Sequence, residues 1–598
     1  MPCVKFNYEI KPSNFFTLPD EKQMAVIGRF FALLSNLQKT AKILMIKEPL
    51  DVQIGNEIRR MQVLRTYLSS DESLENVLES LGYEYSVVLE MPSWKIKSEG
   101  LHHLNMHGDY LAKCFTLYSL PATLGPAWVH SLLVPADMIS ITIKPIQHDK
   151  AVSQMNRYTT LVQAAASRSL KMANRSAISE QVLLALTRQE TKMFSFRVVA
   201  MILAKDIKTL KITSKSFRRQ AGAMLAGFDP TASKQAMMLR EGWGKSLFIE
   251  LGSCAIFYPF VSADMLEVPN GITLGVNKST GAPVIYDYTQ RDNYNILLLA
   301  TSGAGKSVTA KVILTRLMKK YPDCLVFIVD PQGEYDSIAK YLDIIPIRVT
   351  QQKELGFDPF KLFESNDAAE ILGDITRAKD TVRKEFRALA SRAKSVFELY
   401  ELVSDDAKPY LKDLVEGHIS DILKGDSTKM SDRAVISLRG TYGQDESVAM
   451  LLLLALGKIW KKILEKPLRT PKILLIDEGW MLFKMPSAGK FLDSIARIGR
   501  KLNVIFLFVT QRPEDIIDNE YGRGIADNAG TKILLQNTEQ ASQKIAKAMS
   551  LSPQEADMLK TFSRGEALFL TKDYRLRIQI TPSREELKIF STTPMENI

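Results

Sequence analysis

The chain is 598 residues long, 46% hydrophobic and 24% charged, with a formal net charge of +11. This length exceeds one ordinary core and implies about two to four domains. The composition is that of a globular protein, and a basic excess spread this thinly permits a nucleic-acid or anionic-membrane partner without requiring one.

The four cysteines, Cys3, Cys114, Cys254 and Cys324, lie far apart, with no C-x-x-C pair and few histidines nearby. No zinc site or disulfide framework follows, and a reducing cytoplasm is the simplest setting. The opening MPCVKFNYEIKPSNFF lacks a charged-then-apolar signal pattern. The longest apolar runs, such as VAMLLLLALG at 448–457, fall short of the roughly 18 to 20 residues of a spanning helix. Attachment to a membrane would therefore depend on something else.

Residues 1–262 alternate strand-like pieces (SVVLEMPSW, MISITIKP, FSFRVVAMILA) with helical ones (AVIGRFFALLSNL, VSQMNRYTTLVQAAASRSLKMANR). This reads as an α+β domain. It carries a basic run, Lys205, Lys208, Lys211, Lys215, Arg218 and Arg219. A solvated helix or strand edge is its ordinary meaning, and a phosphate-tracking surface the alternative.

From about residue 263 the texture changes. NILLLA, CLVFIVD, AVISL, KILLIDE, VIFLFVTQ and TKILLQN are short apolar runs, each ending in a polar or acidic residue. Such runs are strands buried on both faces of a parallel sheet. Helical stretches separate them, so residues 263–598 form an α/β three-layer domain. Residues 361 to about 432 read as helix after helix without a strand, a helical insertion in that domain.

Within this domain NILLLATSGAGKS, residues 295–307, is a strand entering a phosphate-binding loop. The pattern G-x-x-x-x-G-K-[ST] begins with glycine, and Ala300 stands there instead. Ala300 sits where strand turns into loop, the place least in contact with ligand, so its methyl is tolerable if the residue avoids positive φ. The mechanics are otherwise complete. Gly303 and Gly305 permit unusual dihedrals and close approach, Lys306 can reach terminal phosphates, and the Ser307 hydroxyl can ligate Mg²⁺. The nucleotide-binding set is Thr301, Ser302, Gly303, Ala304, Gly305, Lys306, Ser307 and Val308, with ATP and Mg²⁺ as ligands.

PKILLIDEGW then delivers Asp477 and Glu478 to the end of a buried strand. Asp477 is placed to hold Mg²⁺ through water, and Glu478 to polarise the attacking water. LVFIVDPQGEY, between these motifs in sequence, supplies another acid-tipped strand with Asp330 and Glu334. A strand inserted between the lysine strand and the Asp-Glu strand marks the additional-strand, catalytic-glutamate division of P-loop ATPases. GRKLNVIFLFVTQRP sends a basic helix end into a strand finishing at Gln511, the candidate γ-phosphate sensor. Arg497, Arg500, Arg512, Arg523 and Arg564 are candidates to reach a neighbouring subunit's nucleotide, and a surface ion pair is the ordinary alternative for each.

These residues together resemble the HerA/FtsK superfamily of ring ATPases, and within it the TraC-type ATPases of conjugative type IV secretion machines. DPQGEY and GRK…TQRP are shared with HerA, whereas GITLGVNKSTGAPVIYD and DEGW point to the secretion ATPases. The first 262 residues resemble the secretion family only loosely, in order and spacing. The compact length suits an archaeal CedB-like relative acting in DNA import as well as a bacterial conjugation ATPase. The resemblance implies a RecA-like motor domain behind a docking domain and a homo-oligomer, a hexamer. It implies inner-membrane channel proteins as partners, DNA as a substrate, and a cytoplasmic, peripherally membrane-associated location. A soluble HerA-like DNA translocase is the rival; the large amino-terminal region does not resemble HerA's small barrel. Among the arginines, Arg500 is the first choice for a finger acting in trans, and Arg512 and Arg564 follow.

Overall fold

The computed structural model describes residues 5–590 except 14, 16–17, 19, 121–124, 231–233, 263, 350–352, 418, 427–429 and 439–444. Cys3, and Arg439 with Gly440 of the VISLRG segment, lie outside the described residues. The chain divides into two compact units, Met1–Leu50 with Met61–Asp264, and Asp51–Arg60 with Met265–Ile598.

The first unit is built on an antiparallel sheet. Its strand order is Tyr85–Val87, Phe6–Ile10, Glu57–Ser70, Ala41–Ile54, Met138–Pro145, Met193–Ala204, Leu111–Ser119, Leu104–Met106 and Ile96–Glu99. The strand Met193–Ala204 is apolar on both faces because both are covered. Phe194, Phe196 and Val198 enter one core with Phe30, Leu34 and Phe217 from the helices Asp20–Asn36 and Ile207–Ala223, while Val199 and Met201 enter another. SVVLEMPSW pairs only over Tyr85–Val87. The long helical stretch is two helices, His148–Ala165 and Leu170–Thr187, the second capped by Ser169, whose hydroxyl accepts from the Met172 N–H. Cys114, Cys254 and Cys324 are free and buried.

The second unit is an α/β domain on an eleven-stranded sheet. Seven neighbouring strands are parallel, in the order Thr531–Leu534, Ile296–Leu299, Val504–Thr510, Lys472–Asp477, Leu325–Asp330, Arg433–Ser437 and Ile345–Arg348. Antiparallel strands Glu566–Leu570, Arg575–Ile580, Ile272–Asn277 and Pro283–Tyr286 extend the sheet beyond Thr531–Leu534. Alternate residues of each central strand serve opposite cores. Leu297, Phe327, Leu474 and Phe506 face one, and Leu298, Ile328, Leu475 and Ile505 the other. That is the three-layer arrangement, and it explains why these strands read as unbroken apolar runs.

All six apolar runs are parallel strands. The seventh, Ile345–Arg348, escapes that reading because it is an exposed edge interrupted by Pro346, a residue that edge strands tolerate. The strand separating Ile296–Leu299 from Lys472–Asp477 is Val504–Thr510, while Leu325–Asp330 lies on the far side of Lys472–Asp477. The TQRP strand is thus the inserted one, and the DPQGEY strand is not.

Between Ile345–Arg348 and Arg433–Ser437 the described residues form helices only: Pro359–Leu362, Ser365–Ile375, Asp380–Leu389, Val396–Leu402, Lys408–Val415 and Ser420–Leu423, with a 3-10 turn at Ala390–Arg392. Phe386, Leu399 and Leu411 join the core of one sheet face, so the insertion is packed into the domain. Its entry is pinned by Asp358, which is fully buried and accepts hydrogen bonds from the Phe360 and Val396 N–H groups, both at 3.0 Å. VAMLLLLALG lies in the helix Asp445–Leu464, and no helix among the described residues is long and apolar enough to cross a membrane.

Burial pushes the Asp358 carboxyl up to about 6 from an ordinary 3.8, against the pull of the two N–H donors. The folded chain therefore holds a proton there that the unfolded chain releases first, and stability falls as pH rises through that window, by about 3 kcal/mol in all. Thermal midpoints of the wild type and Asp358→Asn compared from pH 4 to pH 7 should differ in slope, only the wild type losing stability through this group. Parallel curves would place the proton elsewhere.

Candidate nucleotide site

The strand Ile296–Leu299 ends in a loop that opens the helix Lys306–Lys320. Gly303 and Gly305 adopt φ of +82° and +101°, the left-handed region that glycine enters without strain. A Cβ on Gly305 would also lie 3.0 Å from the Gly565 nitrogen, whose N–H donates to the Ala304 carbonyl at 2.9 Å. Ala300 is fully buried in one sheet-face core and is absent from the positive-φ residues. Thr301 fastens the loop, its N–H and its hydroxyl both donating to the Gln536 carbonyl at 3.0 and 2.9 Å. Ser302 and Gly303 are exposed, Ala304 is buried and Val308 half-buried. The result is a backbone cradle at a helix N-terminus, where the dipole and free N–H groups favour anions.

Lys306 is buried between two carboxylates, its Nζ 2.7 Å from Asp477 Oδ1 and 2.6 Å from Glu478 Oε1. Burial opposes its charge, but Asp477 and Glu478 outweigh that and raise its pKa. Burial pushes the Asp477 carboxyl up to about 7; Lys306 pulls the other way, and Glu478 and Glu334 add to the rise. Two carboxylates thus share one ammonium.

Glu478 follows the strand Lys472–Asp477 and adopts φ 51°, ψ 38°. A non-glycine residue in the left-handed region is strained by about 1–3 kcal/mol and persists where its surroundings over-determine it. Those surroundings are visible. The Glu478 N–H donates to Asp477 Oδ1 at 2.9 Å, and Glu478 Oε2 accepts from the Trp480 indole N–H at 2.9 Å and the Gln511 N–H at 3.4 Å. The Arg512 guanidinium stacks 4.1 Å over the Trp480 ring. Trp480 thus links the exposed Arg512 to the buried Glu478. The sequence carried a signal for it only as the last letter of DEGW, because nothing in a one-dimensional pattern says where an indole N–H points.

The DPQGEY turn completes the cluster. Asp330 accepts from the Gly333 and Tyr335 N–H groups, both at 2.8 Å, so its carboxylate is spent closing its own turn. That turn holds Glu334 where its carboxylate accepts from the Ser307 hydroxyl. Lys311, a turn along the loop helix, is fully buried, donates to the Phe590 carbonyl at 3.3 Å and lies 5.5 Å from the Tyr335 ring centre.

The arginines separate. Arg564 runs beside the phosphate loop, its Cγ 3.6 Å from a Cβ built on Gly305, and Arg512 stands next to the Glu478 cluster. Arg500 is elsewhere. It donates to the Asp292 carbonyl and stacks 5.7 Å from the Tyr294 ring centre, residues that precede the strand Ile296–Leu299. Parallel strands share their ends, so Arg500 occupies the end of the sheet opposite the loop. At that same end a cleft of about 1250 Å³ is lined by Arg291, Asp292, Arg523, Lys532, Lys572 and Arg575, among others. Arg497 is paired with Asp493 at 2.8 Å.

Two protein families match this chain. The helicase HerA central domain matches residues 272–477, and an AAA-like domain matches residues 415–587. Residues 272–587 carry a P-loop ATPase domain of the HerA/FtsK type, related to TraC and VirB4. The chain is 26% identical to the DNA double-strand break repair helicase HerA of Sulfolobus acidocaldarius over 338 residues, 50% of this chain and 67% of that one. It is 23% identical to the type IV secretion system protein virB4 of Bartonella henselae over 318 residues, 49% of this chain and 40% of that one. The solved structure of VirB4 of Thermoanaerobacter pseudethanolicus aligns at 25% identity with a TM-score of 0.49, covering 54% of this chain and 100% of that one.

The triad sets a test of this P-loop ATPase that needs no substrate. Lys306→Ala leaves two buried carboxylates without their cation, a loss of about 3–5 kcal/mol. The deficit in thermal stability should be large at pH 8 and shrink towards pH 5, where protonation relieves the repulsion. A deficit independent of pH would mean that Lys306 stabilises by packing alone.

Proposed function

We propose that this chain is the ATP-hydrolysing motor of a conjugation-type, type IV secretion-like machine, energising transfer of DNA, protein or pilus subunits across the cell envelope. The observation that carries the chemistry is the Lys306 ammonium resting on Asp477 and Glu478 at 2.7 and 2.6 Å beside an anion cradle. Triphosphate entering the cradle offers Lys306 a better-charged partner. As the lysine leaves, Glu478 is released to accept the proton of an attacking water. Gln511, whose N–H already touches the Glu478 carboxylate, reports the γ-phosphate to the inserted strand.

Ser307 and Asp477 would hold Mg²⁺. They are hard oxygen donors beside the cradle, and the charge that burial suppresses on Asp477 is what a divalent cation restores. When bound, the ion would neutralise charge on the phosphates.

In this reading the chain assembles into a homo-oligomer, a hexamer, and Arg500 serves the neighbour's site. Its place at the far end of the sheet from its own loop supports action in trans, whereas Arg564 and Arg512 lie by their own site. Residues 1–262, which supply nearly all of the amino-terminal unit, are the docking domain for inner-membrane channel proteins, and the location is cytoplasmic with peripheral membrane attachment. The likeness to virB4 supports a secretion role. The comparable likeness to HerA supports a second reading, a soluble hexameric DNA translocase. Co-purification separates them, membrane proteins coming down in the first case and nucleases in the second.

Glu478→Gln should bind Mg·ATP with near wild-type affinity and lose turnover by at least about a hundredfold, because the amide cannot take the water's proton. Near wild-type turnover would move the base elsewhere, with Glu334 next. Arg500→Ala alone should also be deeply impaired. Mixed with Glu478→Gln subunits, it should regain part of its activity wherever the latter offers its arginine to an intact site. A mixture that forms mixed oligomers yet stays inactive rules out Arg500 as the finger in trans.

A further inference from the structure

The basic run of the amino-terminal unit forms the helix Ile207–Ala223. The helix buries Leu210, Ser214, Phe217 and Ala221 on one side. At about 100° per residue the opposite ridge consists of Lys208, Ile212, Lys215 and Arg219, all exposed, with Lys211 and Arg218 beside it. The helix contains no acidic residue. Asp206, at its start, is occupied as the cap, accepting from the Thr209 N–H at 2.8 Å and hydroxyl at 2.6 Å. Lys113, on the strand Leu111–Ser119, adds a further cation; burial and then Arg218 and Lys211 hold its ammonium below the usual range. Among the described residues none of the helix's five cations meets a carboxylate.

One residue of the ridge is out of character. Ile212, at its centre, is 62% exposed, and Ile207 and Leu225 at the two ends of the helix are 52% and 76% exposed. A nucleic-acid backbone would engage the cations but offers nothing to these aliphatic side chains, and the ridge has no aromatic or amide group to stack on or read a base. An anionic bilayer supplies both, phosphates for the cations and the acyl boundary for the isoleucines and leucine.

We propose that this face docks the amino-terminal unit directly on an anionic phospholipid surface. The contact is independent of ATP hydrolysis and adds a lipid attachment of the chain's own to any made through partners.

The test uses the full chain without nucleotide and vesicles of phosphatidylglycerol mixed with phosphatidylcholine, against vesicles of phosphatidylcholine alone. Co-sedimentation should occur with the first and be lost with the second, and about 0.5 M salt should release it. Each ridge cation is worth about fivefold in partitioning, so Lys208→Gln/Lys215→Gln/Arg219→Gln should weaken binding about a hundredfold. Ile212→Ser should weaken it about tenfold. Nucleotide binding should be unchanged in both variants, which shows that the chain is folded. Binding that ignores lipid charge, or a triple variant that sediments like the wild type, overturns the proposal. So does a triple variant that loses duplex DNA while Ile212→Ser binds vesicles normally, which would make the face a nucleic-acid surface.

Discussion

One ammonium against two carboxylates, all three buried, is the arrangement on which the rest of the motor unit depends. Taking Lys306, Asp477 and Glu478 out of water is costly unless each finds its partner, and here a single cation satisfies two acids at 2.6–2.7 Å. The balance leaves one negative charge in excess. Burial, with Glu478 and Glu334 adding to it, pushes Asp477 towards neutrality, and Glu478 gathers donors from Trp480 and the Gln511 backbone. A site built this way is electrostatically prepared for a ligand that brings phosphate for the lysine and positive charge for the acids.

The sheet makes that convergence possible. Strands buried on both faces cannot carry polar side chains along their length, so the polar residues collect where the strands end. Parallel order then brings the ends of Ile296–Leu299, Val504–Thr510, Lys472–Asp477 and Leu325–Asp330 to the same edge, with the loop, Gln511, the acid pair and the DPQGEY turn side by side. The opposite edge collects Arg500 and the mixed-charge cleft. The phosphate cradle thus lies at one end of the sheet and Arg500 at the other.

The amino-terminal unit follows different rules. Its sheet is antiparallel, with apolar residues on both faces of its central strands and a helix whose outer ridge holds cations that meet no carboxylate among the described residues. Folding has no use for that ridge: like charges three and four residues apart repel slightly, and an exposed isoleucine among them contributes nothing to a core. Features that cost a little in the isolated chain and are satisfied only by something outside it are where an interaction surface is to be sought.

The phosphate loop, the acid pair, the six apolar strands and the helical insertion were legible in the residues themselves, because each is a local pattern enforced by backbone geometry or burial. Ala300 was legible as a position away from the ligand whose methyl is tolerable without positive φ, whereas its burial in a core came from the tertiary structure. What the sequence could not order was space. LVFIVD and VIFLFVTQ are equally good buried strands, and only the tertiary structure decided that the second lies between the lysine and the acids. The same holds for the arginines, which look alike in sequence yet divide between the two ends of the sheet, and for Asp330, which closes a turn instead of joining the chemistry. Trp480 became meaningful only when its indole was found between Glu478 and Arg512. Short-range patterning determines what kind of element a segment becomes, whereas neighbours in a parallel sheet are joined by crossovers, and their order is set by packing among residues far apart in the chain.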